Sequence, residues 1–235
     1  MKEHEILALR DDGFCLVRGA LSSAECDVVL DELGDILSAG ESGSQGFSAH
    51  FARNLLSQSS MIQKRVSRPP FISLAREVLG IDAVPVKGIY FDKNPGSNWV
   101  VPWHQDLTIA LQERHEVDGY SNWTVKEGAW HVQPPVSVLE SQVTLRLHLD
   151  DCSEQNGALR VVPGSHRLGR LHHTAEAELR EEVGEVLCEA RRGDVLVMSP
   201  LILHASSKAV QPSHRRIVHI EYSAARLQEP LAWRD

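Results

Sequence analysis

The stretch Gln142-Val143-Thr144-Leu145-Arg146-Leu147-His148-Leu149-Asp150 decides the fold class. Val143, Leu145, Leu147 and Leu149 alternate with Thr144, Arg146, His148 and Asp150. That period of two sends successive side chains to opposite faces of a β-strand. One face is wholly apolar and belongs against a core. The other carries a hydroxyl, a guanidinium and an imidazole. It either meets solvent or lines a polar cavity, and the alternation alone leaves both readings open.

Working outward, the flanking sequence repeats the pattern in shorter pieces. Towards the C-terminus, Pro163-Gly164 is a turn, and the acidic segment Thr174 to Val186 reads as an exposed helix or loop. Gly193-Asp194 is a turn before the strand Val195 to Met198, and Ile202-Leu203-His204 is a further strand candidate. Ile217 to Tyr222 puts Val218, Ile220 and Tyr222 on one face and Arg215, Ile217, His219 and Glu221 on the other. Towards the N-terminus, Pro85 to Phe91 is a strand candidate followed by the turn Asn94-Pro95-Gly96. Before residue 84 the texture is mainly helical. Glu5 to Arg10 is a short helix, and Gly13 separates it from the strand-like run Phe14 to Val17. Ser22 and Glu25 form a capping box for a helix carrying Val29, Leu33 and Ile36 at helical spacing. Phe71 to Leu79 is a third helix, set between Pro69-Pro70 and Gly80. Gly40 to Gly46 reads as a mobile loop. A few helices followed by many short strands predict an α+β chain, mainly β, built on an antiparallel sandwich or barrel, and a jelly roll fits the length. We expect one domain over residues 1–235, with a helical N-terminal part at 1–83 and the β core at 84–226.

Composition narrows the function. At 235 residues the chain is long enough to bury a sizeable core without staples. With 42% hydrophobic and 24% charged residues it is an ordinary globular sequence. A net charge of −8 repels phosphate backbones and acidic membrane faces, so neither nucleic acid nor membrane is an expected partner. Cys15, Cys26, Cys152 and Cys188 form no C-x-x-C pair, which predicts free thiols in a reduced, cytoplasmic protein. No run approaches the roughly 18 apolar residues that cross a bilayer, and residues 1–10 lack the apolar centre of a signal peptide.

The chemistry is concentrated in Val101-Pro102-Trp103-His104-Gln105-Asp106. On a strand, His104 and Asp106 leave the same face and can reach one ion. Two histidines and one carboxylate on one side of a metal leave positions open opposite, the arrangement used by non-haem Fe(II) oxygenases. The third ligand must come from a distant strand. His204 is the leading candidate, with His148, His166 and His219 as competitors. A dicarboxylate that chelates the metal at one end needs a cation in a dry place at the other, and the arginine fork suits that task. Arg215 shares a face with His219 and Glu221, whereas the adjacent Arg216 points the opposite way, so Arg215 is preferred.

Together these segments make the chain resemble the phytanoyl-CoA dioxygenase family. Phe91-Asp92-Lys93-Asn94-Pro95-Gly96 is similar to the family's lysine-containing turn, and Pro102 to Leu107 to its H-x-D motif. Leu147 to Asp151, Asn156-Gly157-Ala158-Leu159 and Val162-Pro163-Gly164-Ser165-His166 resemble its central strand and P-G-S-H turn. His204-Ala205-Ser206 through Arg215-Arg216 resembles its distal histidine and co-substrate arginine. The resemblance implies a double-stranded β-helix of cupin-like, jelly-roll form, with Fe(II) held by His104, Asp106 and His204. It implies 2-oxoglutarate bound by Arg215, with Lys93, Thr144 and Arg146 nearby, and His166 as a structural residue. It further implies O2-dependent hydroxylation with release of succinate and CO2. Because Asp106 stands where halogenating relatives carry a small residue, it implies hydroxylation and not halogenation.

A segment at about 108–139 follows the first two ligands as a lid-like insertion, and Trp123, Trp130 and His131 within it are candidate substrate contacts. The expected partner is a small-molecule substrate, and the expected assembly a monomer or homodimer. Two other readings fit the same fold: a cupin-type metalloenzyme that does not use 2-oxoglutarate, and a metal- or 2-oxoglutarate-binding protein without turnover.

Overall fold

A computed structural model describes residues 1–40, 47–48 and 50–234. Residues 41–46, which fall in the segment read above as a loop, lie outside the described residues. The chain opens with α1 (Glu3–Asp12), stopped at Gly13 by a left-handed φ of 86°, and continues into β1 (Phe14–Val17). Next comes α2 (Ser23–Gly40), where the Ser22 hydroxyl accepts from the Glu25 N–H and the Glu25 carboxylate accepts from the Ser22 N–H, the expected capping box. Two short strands follow, β2 (Phe47–Ser48) and β3 (Phe51–Ala52), and then the helices α3 (Leu55–Gln58), α4 (Ser60–Val66) and α5 (Phe71–Leu79). The third predicted helix has the predicted bounds, and the N–H of Gly80 closes it onto the Arg76 carbonyl. The two short helices before it carry too few turns to show a period.

The β region begins with β4 (Val84–Lys93) and β5 (Val101–His104). Then come β6 (Ile109–Leu111), β7 (Ser121–Lys126), β8 (Ala129–Gln133), α6 (Val136–Glu140) and β9 (Gln142–His148). The chain finishes through β10 (Leu159–Val161), α7 (His173–Val183), β11 (Val186–Cys188), β12 (Val195–Met198), β13 (His204–Ser206) and β14 (Arg215–Ser223). Among the described residues these strands form an antiparallel seven-stranded sheet in the order β1-β12-β9-β14-β4-β3-β2, a four-stranded sheet β11-β10-β13-β5, and a three-stranded sheet β6-β8-β7. The N-terminal part is therefore not only helical: β1 pairs with β12, and β3 with β4, so it extends both sides of the large sheet.

The alternation in β9 resolves into two interiors. Val143, Leu145 and Leu147, with Val195 and Val197 of β12 and Val218, Ile220 and Tyr222 of β14, pack against Leu33, Leu55, Ile62 and Phe71 of the helical layer. The Tyr222 hydroxyl donates to the Val66 carbonyl at 2.8 Å, pinning sheet to helix. The opposite face is also buried: Thr144, Arg146 and His148 are all under 8% exposed. It looks towards the small sheet, where Leu159 and Val161 pack on Leu196 and Met198. The polar face therefore lines an interior and does not meet solvent. Slipping β9 by one residue would drive a guanidinium and an imidazole into the helical core, so burial on both sides enforces the register.

Two further expectations are adjusted and one is narrowed. The strand read at Ile202–His204 begins at His204, because Ile202 and Leu203 belong to the turn that delivers it. The acidic segment after residue 173 is a helix with no buried residue. The insertion at 108–139 is not a long irregular loop but holds the three-stranded sheet and leads into α6. All four cysteines are free and buried.

Candidate active site

The two candidate ligand histidines face one another across a ladder. β5 and β13 are antiparallel with His104 directly opposite His204. Their ring centroids are 4.2 Å apart. Each ring is oriented by the main chain two residues before it: His104 Nδ1 lies 2.8 Å from the Pro102 carbonyl and His204 Nδ1 2.9 Å from the Ile202 carbonyl. Donation from Nδ1 fixes the tautomer and leaves Nε2 with its lone pair free for a metal. Both Nε2 atoms point at one carboxylate. Asp106 Oδ1 is 3.8 Å from Nε2 of His104, and Asp106 Oδ2 is 3.8 Å from Nε2 of His204. The ligand atoms of the three residues all lie within 4.8 Å of one another.

β5 ends at His104, so strand alternation alone does not place Asp106. The Asp106 N–H donates to the Pro200 carbonyl at 2.9 Å. Gln105 does the rest: its amide donates to the Leu201 and Gly169 carbonyls at 2.6 and 2.8 Å, and its carbonyl accepts from the Leu171 N–H at 2.8 Å. The residue between the two ligands thus ties them to the loop that delivers the third. Ser165 of the P-G-S-H turn completes the frame, its hydroxyl accepting from the Leu203 N–H and donating to the Val162 carbonyl. Neither Gln105 nor Ser165 was singled out from sequence, and only their position beside ligand motifs could have marked them. His166 packs its ring on Gly13, where an added Cβ would come within 2.4 Å of its Nδ1, and it holds no position near the three ligand atoms.

Burial pushes the His204 imidazole down to about 4, so it is neutral at ordinary pH, the form that ligates metal. Burial opposes ionisation of Asp106, but the His204 and His219 imidazoles and the Lys87 ammonium outweigh it and hold the carboxyl below its usual range. Asp106 Oδ2 is buried and has no hydrogen-bond donor within the protein. An orphaned, ionised carboxylate oxygen facing two free imidazole lone pairs fits a divalent cation. Three protein ligands of this kind also leave coordination positions for other molecules.

The large sheet supplies the floor of a cavity of about 500 Å³ in front of these groups. Its inner face is ordered in rows by the register: Lys93 opposite Arg215, Phe91 opposite Ile217, His219 between Ile89 and Arg146, and Lys87 opposite Glu221. Arg215 lines the cavity and is buried, with one guanidinium nitrogen donating to the Gly157 carbonyl at 2.5 Å and its Nε unpaired within the protein. Gly157 has a φ of +80°, and a Cβ there would come within 2.7 Å of the Ser207 carbonyl, so the Asn156-Gly157 turn has a steric reason. Arg216 turns away and makes a two-pronged ion pair with Asp150 at 2.6 and 2.8 Å. Lys93 is beneath Arg215, donating to the Ser206 hydroxyl and the Ser207 carbonyl at 2.8 Å each. Burial, reinforced by the Arg215 charge, pushes Lys93 down to about 7.

The remaining predicted residues divide. Arg146 lines the cavity and donates to His219 Nδ1 at 2.9 Å. Thr144 is buried one row further along, opposite Glu221, and is not among the lining residues. His131 lines the cavity, whereas Trp123 and Trp130 meet edge-on at 6.3 Å outside it. Of the competing histidines, His148 and His166 belong to no ligand cluster. His219 joins Asp106 and Glu221 in a second group of three, also within 4.8 Å.

With the geometry established, comparison with known proteins gives a consistent result. The model of the phytanoyl-CoA dioxygenase (PhyH) family matches residues 9–217. An L-proline trans-4-hydroxylase of Streptomyces griseoviridis is 25% identical over 189 residues, covering 67% of this chain and 61% of that protein. The dioxygenase cnsJ of Penicillium expansum is 23% identical over 234 residues, covering 94% and 66%. The chain thus spans about three-fifths to two-thirds of the length of these curated relatives. Among solved structures, EctD from S. alaskensis with bound Fe superposes with a TM-score of 0.76 at 18% identity, over 98% of this chain and 80% of that one. AviO1 from Streptomyces viridochromogenes Tue57 gives 0.68 at 23% identity, over 99% and 98%. The structural likenesses establish the jelly-roll fold. The family match extends over nearly the whole length, and the chain belongs to the phytanoyl-CoA dioxygenase (PhyH) family.

Proposed function

We propose that the protein is an Fe(II)- and 2-oxoglutarate-dependent dioxygenase that hydroxylates a C–H bond of a small molecule. The observation that carries this reading is the set of three converging ligands, His104, Asp106 and His204, beside a buried guanidinium with an unpaired nitrogen. Relatives support it. One is named as a hydroxylase and another as a dioxygenase, and EctD from S. alaskensis has been solved with Fe and with 2-oxoglutarate.

In this reading His104, Asp106 and His204 hold the iron. When bound, iron supplies O2 activation and the oxidative decarboxylation of 2-oxoglutarate to succinate and CO2, coupled to oxidation of the substrate. The protein supplies placement. Arg215 receives the far carboxylate of 2-oxoglutarate, with Lys93 below it and Arg146 beside it as further positive charge. Phe91, Ile89 and Leu159 keep that end of the cavity dry, which strengthens the charge pairing. Gln105 and Ser165 hold the ligand loops at fixed spacing.

The test is an anaerobic titration with Fe(II) followed by 2-oxoglutarate, monitored in the visible. A charge-transfer band that appears only with both is the expected outcome. Bound iron with no band, and no consumption of 2-oxoglutarate in air, would favour a cupin-type or non-catalytic metal protein.

A further inference from the structure

One end of the cavity is accounted for by the co-substrate, but the other end is just as cationic. Five basic side chains face the space, Arg53, Lys87, Lys126, Arg146 and Arg215, against the single carboxylate of Asp106. This is unexpected in a chain of net charge −8. Two of the five are answered from behind: Lys87 lies 2.6 Å from Glu221, and Arg53 lies 2.6 Å from Glu127. With those included, five cations meet three carboxylates. A divalent ion and a dicarboxylate cancel each other, so an excess of two positive charges remains.

Arg146 carries one of these charges beside Arg215, and Lys126 carries the other away from it. On β4, Lys93 marks the Arg215 end and Lys87 the Glu221 end, with Ile89 and Phe91 between. Six residues of strand separate the two lysines by roughly 20 Å. Lys126 and His131 stand at the Lys87 end, on the three-stranded sheet that lines the cavity there. Lys126 neighbours Thr124 on one face of β7, and Thr124 is the cross-strand partner of His131. Lys126 is exposed at the rim and has no hydrogen bond or ion pair among the described residues, and partial desolvation together with the Lys87 and Arg53 charges pushes its pKa down. His131 is 3% exposed, lines the cavity, and has both ring nitrogens without a partner in the protein. A buried polar ring of this kind is costly to leave unpaired and calls for a partner.

We propose that the substrate is a small carboxylic acid whose carboxylate is received by Lys126 and His131, at the opposite end of the cavity from Arg215. This rests on the dioxygenase reading above and names its substrate class. One ammonium and one imidazole suit a carboxylate. The mouth offers neither a glycine-rich turn nor a helix N-terminus among its lining residues, the features that cradle a phosphate. A cavity of about 500 Å³ shared with 2-oxoglutarate restricts the acid to a small one.

The experiment uses protein loaded anaerobically with Fe(II) and 2-oxoglutarate. It is titrated with butyrate against butyramide, benzoate against benzamide, and phenyl phosphate, following perturbation of the visible band. The acids should act at concentrations at least about ten-fold below those of their amides. Lys126→Gln should erase that preference and Lys126→Arg should restore it, with the band itself reporting the integrity of the iron centre in every sample. Equal response to acids and amides, stronger response to phenyl phosphate, or a preference that survives in Lys126→Gln overturns the proposal. Failure of the band to form in the first place would instead remove the dioxygenase reading, and this inference with it.

Discussion

Gln105 sits between two proposed metal ligands and ligates nothing, yet it makes three hydrogen bonds that no neighbour could replace. Gln105→Leu keeps the volume but strands the Leu171 N–H and two carbonyls in a buried place. We expect it to cost about 2–3 kcal/mol in urea unfolding and to weaken Fe(II) binding roughly 10–100-fold. Loss of stability with unchanged iron affinity would show that the ligands do not depend on this tie. The adjacent arginines give a sharper contrast. Arg215→Ala should raise the 2-oxoglutarate concentration needed for half-formation of the visible band by about 100-fold or more, since it removes a buried two-pronged partner. Arg216→Ala should leave that concentration unchanged and cost about 1 kcal/mol of stability through the partly exposed Asp150 pair. The reverse pattern would transfer the co-substrate role to Arg216. Face alternation in the sequence already separated these two side chains. It could not show Gln105 as a strut, because all three of its partners are main-chain atoms brought there by distant turns.

At the scale of the element, the β7–β8 hairpin lines one side of the cavity through Lys126, His131 and Gln133. Its two-residue turn, Glu127-Gly128, has both φ angles positive, at 51° and 73°, which matches the twist of the strands it joins. The Glu127 carboxylate pairs with Arg53 and its carbonyl accepts from Asn54, so the hairpin tip is fastened to the start of α3. A Cβ on Gly128 would meet nothing within 4 Å, so Gly128→Ala tests conformation alone. It should lower stability by about 1–2 kcal/mol in thermal unfolding, the cost of a left-handed residue. No measurable change would mean that the turn relaxes to another type. The sequence between residues 108 and 139 contains the aromatic and β-branched residues of these strands, but their runs are short and only one face is covered, so they read as loop. The β9 strand shows the opposite limit. Its alternation revealed which side chains share a face. A polar interior and a wet surface have the same pattern in sequence, and only the second sheet folding over Arg146 and His148 distinguishes them.

For the whole molecule, burying so many polar groups between two sheets has a consequence for pH. Burial pushes His131 down to about 4 and His148 down to about 3, from an ordinary value of 6.5. Below 6.5 the unfolded chain therefore takes up protons that the folded one refuses. The stability held above pH 6.5 falls as pH drops towards 4 and 3. These two alone give a slope of up to about 2.7 kcal/mol per pH unit between pH 6 and 4, and His204, held at about 4 in the absence of metal, adds to it in the same direction. Urea midpoints of the metal-free protein across that range should follow it, and a flat profile would mean that these imidazoles are charged in the fold. The longer helices, the main strands along the chain and the three candidate ligands were readable at this scale, because each has a local pattern or a short motif. The mouth of the cavity was not, because Arg53, Lys87, Lys126 and His131 come from four separate strands or strand ends and share no motif. One further property follows from the opposition of His104 and His204. They are direct partners in the ladder, yet exactly one hundred positions separate them in the chain, and β5 is the outermost strand of its sheet. An ion bridging them would work as a removable clasp on an exposed edge. It would hold the last strand to its neighbour, guard that edge against pairing with another chain, and make the loaded protein harder to unzip than the bare one.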